Sequence, residues 1–241
     1  MNLETLIFIG YCVSSLGFLV AAIVTSLTVS KLGKSALGSV VTYLFMGTAT
    51  FCVITIFQYL GAHFFNISDE SMDIWWHIMF YLALTSYFFG FKALVSLTSQ
   101  TGQSGALGKE KWWGIFSFVL LAIIFIIPSY SEPTIMMYNA SSLSAFGLHH
   151  FIAFALAGLV GFYVLFIKKN IGQIGHAIAN PVIVALSALS LQHFWELLAE
   201  SWKVIDLPSE KIEGGEKIFL TIAAFSITYA IIRLKSLTAA K

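Results

Sequence analysis

The feature that most constrains this chain is a recurrence: apolar stretches of the roughly 20 residues needed to cross a bilayer return seven times. They fall at 6–30, 40–62, 76–98, 112–130, 148–167, 181–202 and 216–235. Hydrocarbon offers no hydrogen-bond partners, so a crossing segment must satisfy its own backbone, and for runs of this length the helix does so. The expected fold is all-α: one polytopic domain over 1–241, a seven-transmembrane-helix bundle. The chain is 58% hydrophobic and 10% charged, with a mean hydropathy of +0.86, which sets it apart from soluble domains. The first run opens near Leu6 with Glu4 as the only charge before it, so it is expected to be a retained span and not a cleaved signal.

The basic residues orient the bundle. Lys31, Lys34, Lys92, Lys109, Lys111, Lys168, Lys169, Arg233, Lys235 and Lys241 gather at one set of span ends, ten of the 13 Lys and Arg. Positive charge stays cytoplasmic. The opposite loops carry Asp69, Glu70, Asp73, Glu132, Asp206, Glu210 and Glu213. The amino terminus is therefore expected outside and the carboxyl terminus in the cytoplasm of a multi-pass cell-membrane protein. The six tryptophans, at 75, 76, 112, 113, 195 and 202, fall mostly near span ends, where indoles anchor at headgroups. Spans 40–62 and 76–98 also echo spans 181–202 and 216–235 in placing polar residues where one helix ends and the next begins.

Several function classes are excluded on chemistry. A net charge of +1 without a basic tract gives no footprint for nucleic acid, and no phosphate-cradling glycine loop points to a nucleotide. Cys12 and Cys52 sit inside apolar runs as packing residues. No lysine lies in the middle of the last span, where a retinal Schiff base would need one: Lys217 is at its outer end and Lys235 at its inner end. Asn66 and Asn139 head glycosylation sequons in outer loops, which matter only for a protein that passes through a eukaryotic secretory pathway.

What remains is a set of polar residues in the wrong solvent. The sixth run ends LQHFWELLAESW, with His193, Glu196 and Glu200 within eight residues. Each is costly to place in hydrocarbon, so such groups mark function by default. Helical spacing puts His193 and Glu200 on nearly one face, with Glu196 about 60° away. From the same side, His63 closes the second span, His77 opens the third, His149 and His150 open the fifth, and Glu216 opens the seventh. His149 and His150 are about 100° apart on a helix, so one of the two is expected to face inward.

Imidazole and carboxylate together suit Zn, Cu or Fe. The leading expectation is an outward-facing pocket built from His63, His77, His149, His150, His193, Glu196, Glu200 and Glu216. It would bind a transition metal, with haem held by paired histidines as the variant, alone or as one subunit of a membrane complex. The spacing matches neither the HExxH of zinc hydrolases nor the ExxH of di-iron helices, so no reaction follows from it. Three other readings stand beside it. One is a sensor or partner-binding subunit without catalysis, another is proton or ion conduction through the His/Glu cluster, and the last is a polar cluster that only stabilises helix association.

Overall fold

A computed structural model describes residues 3–65, 69–98 and 147–239. The described chain is all-helical. Its helices are α1 (Leu3–Leu32), α2 (Ala36–Phe64), α3 (Asp69–Thr98), α4 (Leu148–Ile167), α5 (Gly172–Glu196) and α6 (Ser209–Ala239). All six are long and apolar enough to cross a membrane. The expected run at 112–130 lies outside the described residues.

Each helix packs against the next, and α6 returns against α1, so the six form a ring in chain order. Small residues let the closing pair approach. A Cβ on Gly10 would stand 2.8 Å from Lys217 Cβ, and Thr228 Oγ1 donates to the Gly17 carbonyl oxygen at 2.8 Å. Without a hydrophobic drive between helices in lipid, such close packing and interhelical hydrogen bonds supply the adhesion. The interior is layered with aromatics: Phe18 stacks on Phe51 at 5.2 Å, and Phe51 meets Phe80 edge-on at 6.0 Å. All three are fully buried. One step further along α2 and α3, Thr48 and Tyr87 share a buried hydrogen bond of 2.9 Å.

The fifth helix differs from its expected boundaries at both ends. It begins at Gly172 and carries Pro181 in its interior. A proline cannot donate to the carbonyl four residues before it, a loss membrane helices absorb through neighbouring helices and side chains. At the other end Leu197–Ser201 widens into a π turn, closed by Trp202 N–H donating to the Leu197 carbonyl oxygen at 2.9 Å. The last helix starts at Ser209, so Glu216 and Lys217 lie about two turns inside it and not at its first residues.

Two contacts fix which ends are neighbours. Thr98 Oγ1, closing α3, donates to the Asn170 carbonyl oxygen just beyond α4 at 2.6 Å. Tyr81 O–H, more than three turns into α3, donates to the His149 carbonyl oxygen at the start of α4 at 3.2 Å. Helices α3 and α4 therefore run side by side in the same direction.

Candidate metal centre

The starts of α3 and α4 and the end of α5 bring their polar residues to one end of the ring. His77 lies on α3, His149 and His150 on α4, and His193 and Glu196 on α5. What aims α4 is Gly147, which precedes it in the left-handed region at φ 66°. A Cβ there would fall 2.2 Å from Ser201 Oγ, so only glycine lets this turn press against the π turn of α5. Ser190 Oγ donating to the Phe154 carbonyl oxygen at 2.9 Å then ties α5 to α4 one layer deeper.

Glu196 is the hub. His193 Nδ1 donates to its Oε2 at 2.5 Å, and Gln192 Nε2 donates to its Oε1 at 3.0 Å. His150 Nδ1 stands 2.9 Å from the same Oε2. His193, Glu196, Gln192 and His150 are all buried, and His193 is fully enclosed, with its ring edge-on to Phe80 at 4.5 Å. Glu200 reaches His150 Nε2 at 3.7 Å, with its own side chain 47% exposed, which puts it at the opening.

On the α3 side, His77 Nδ1 donates to the Asp73 carbonyl oxygen at 2.8 Å and lies 3.2 Å from Asp73 Oδ1. His149 Nε2 faces Asp73 Oδ2 at 3.4 Å. Burial opposes charge on Asp73, but His77, through its charge and its hydrogen bond, together with His149 and His150, holds the carboxyl well below the usual carboxylate range. Asp73 thus stays ionised wherever these histidines can use it.

One donor atom each from His150, His193 and Glu196 falls within 4.8 Å of the other two, and the same holds for His77, His149 and His150. Either trio can hold a metal ion, and His150 belongs to both. The two histidines expected to diverge therefore both join: His149 reaches across to α3, while His150 reaches α5. The difference from the helical-wheel reading is that α4 has partners on two sides.

A cavity of about 560 Å³ opens onto the cluster, with His150, Glu196, Glu200 and Asp73 on one wall and Tyr11, Glu213, Glu216 and Lys217 on the other. Glu216 faces Lys217 at 3.6 Å across that second wall and is not drawn into either trio. Lys217 itself is buried at 3% exposure, with its Nζ 4.1 Å above the Tyr11 ring, and Tyr11 O–H donates to Glu213 Oε1 at 3.2 Å. The backbone of His63 closes α2, but its side chain lies outside the described residues.

The chain matches no protein-family model, and no curated protein or solved structure matches it. The site's chemistry has to be read from its own residues.

Sequence reasoning missed Asp73, counted only as an outer-loop charge, and Gln192, which has no charge to draw attention. Their shared signal is spacing. Asp73 stands four residues before His77, and Gln192 four before Glu196, one helical turn in each case. Trp76, read as a headgroup anchor, is instead buried at 4% and lines the cavity.

Proposed function

We propose that this protein is a cell-membrane protein whose outward-facing His/Glu pocket binds a transition metal ion. The observation that carries the reading is the His150, His193 and Glu196 trio, buried, with donor atoms within 4.8 Å of one another and two more histidines adjoining. Buried imidazole and carboxylate donors at this spacing suit zinc, copper or iron. The tight clustering favours a bare ion over haem, whose plane has to fit between its axial ligands.

The seven-span, outward-facing arrangement is supported by the ends of α3 and α4. Thr98 adjoins the far end of α4 while Tyr81 adjoins its start, so α3 and α4 run in the same direction, which accords with the seven-span count. It also leaves Lys31, Lys34, Lys168, Lys169, Arg233 and Lys235 at the end opposite the histidines, which the positive-inside rule assigns to the cytoplasm.

Elemental analysis of the purified protein, with its absorption spectrum, tests the metal reading. The expected result is a stoichiometric transition metal without a Soret band, lost in His193→Ala. Substoichiometric metal after reconstitution with zinc, copper and iron salts in turn would overturn it.

A further inference from the structure

His150 belongs to two groups of ligand atoms that differ in exposure. With His77 and His149 it forms one in which His149 is only half-buried, and with His193 and Glu196 it forms another in which every member is buried. The first group is the more open. The His149 side chain is 24% exposed, and Asp73, which stands 3.4 Å from His149 Nε2 and 3.2 Å from His77 Nδ1, is 45% exposed. Both groups border the cavity, the first through His150 and the second through His150 and Glu196.

The donors differ in the same order. Three imidazoles make up the open group, whereas the enclosed group contributes a carboxylate, and a cation gains more from a negative charge where water is excluded. Gln192 Nε2 donates to the other oxygen of that carboxylate at 3.0 Å and so orients it. His150 is already placed as its fellow ligand. Its Nδ1 is 2.9 Å from Glu196 Oε2, and two atoms each about 2.0–2.1 Å from one tetrahedral ion lie about 3.3 Å apart. The hydrogen of His150 is then on Nε2, which faces Glu200 at 3.7 Å. A neutral imidazole has one ring nitrogen with a lone pair to offer, so His150 serves one ion at a time. Two seats that share such a ligand are filled in turn.

Resting on the metal reading above, we propose that the cluster is a two-step relay for a single transition-metal ion. The seat of His77, His149 and His150 captures the ion, and the seat of His150, His193 and Glu196 retains it. His150 holds on throughout, exchanging His77 and His149 for His193 and Glu196, so the ion passes from α3 to α5 without becoming free. Asp73, beside both His77 and His149, draws a cation to the first seat. Glu196 makes the second seat the more stable.

The test is rapid mixing of cobalt(II) with the full-length protein in detergent. The d–d bands are followed in time, and X-ray absorption counts the ligands at the end. The expected result is a first phase whose rate rises with cobalt concentration and a second whose rate does not, ending in one cobalt bound by two imidazoles and a carboxylate. His149→Ala should lose the first phase, load more slowly and reach the same final spectrum. Glu196→Gln should keep the first phase and lose the second. A single phase in the wild type, both phases in His149→Ala, or two cobalt ions bound at once would overturn the relay and leave the metal reading standing. An end state of three imidazoles without a carboxylate would also overturn it. No bound cobalt, zinc, copper or iron at all would remove the metal reading itself, so the failures are distinguishable, and the wild-type time course decides even where a variant fails to fold.

Discussion

At the scale of single residues, the cavity divides into two kinds of charge. One wall joins imidazoles to carboxylates. The other holds Lys217 against Glu216 and Tyr11, almost out of reach of water. An ammonium in that position is tolerable because it is paired, and removing one partner strands the other. Lys217→Met is therefore expected to cost about 3–5 kcal/mol, the usual penalty for breaking a buried pair, while Lys217→Met combined with Glu216→Gln recovers most of it. Thermal unfolding in detergent compares the two, and a double variant no more stable than the single would contradict the pairing. Tyr87→Phe offers a control deeper in the bundle. It removes the hydrogen bond to Thr48 and should lower stability by about 0.6 kcal/mol, the average for membrane hydrogen bonds. Metal affinity should not change, and a tenfold loss would show the two layers to be coupled.

Among the elements, the segments on either side of the site work by departing from ideal helix. Gly147 turns the chain into α4 through a left-handed conformation that costs other residues about 1–2 kcal/mol, and its missing Cβ is the space that Ser201 fills. Gly147→Ala should therefore both lower the melting temperature and weaken metal binding, because His149 and His150 follow within three residues. A cobalt titration of this variant that overlays the wild type would show that the turn does not aim them. The π turn that follows Glu196 has the complementary effect. It widens the helix where Glu200 emerges, and such turns recur at functional sites. These elements also show what could be read in advance. The described spans were legible because hydrocarbon imposes helix on any long apolar run, and His193 and Glu196 stood out because such groups are expensive there. The π turn has no signature in residue type. The burial of Lys217 could not be read because it depends on Gly10 of α1 making room, a contact more than 200 positions away. Of His149 and His150 only the second is buried, and the half-buried His149 still meets Asp73 because α4 has neighbours carrying polar groups on two sides, which a helical wheel with a single inward direction does not represent.

For the molecule as a whole, direction and metal linkage are both measurable. In a background with Cys12 and Cys52 replaced by serine, Asp206→Cys should react with a membrane-impermeant thiol reagent from outside intact cells, and Lys34→Cys only after lysis. The reverse pattern would invert the orientation. Because an ion held between α4 and α5 by His150, His193 and Glu196 binds the folded ring and not the separated helices, chelation should lower thermal stability. The size follows mass action, about 2.7 kcal/mol lost when free metal falls from 100 times its dissociation constant to none. A melting curve unaffected by chelator would mean that the metal does not bridge these helices.

The Phe80 ring stands edge-on to both the His193 imidazole and Phe51, and Phe51 stacks on Phe18. Glu200, half exposed while His150 and Glu196 are buried, stands where the chamber meets the outside. A ligand passing there meets that carboxylate before it meets the imidazoles. Occupancy is then governed at the threshold, and a substitution at Glu200 should alter how fast ligands exchange more than how many the chamber holds.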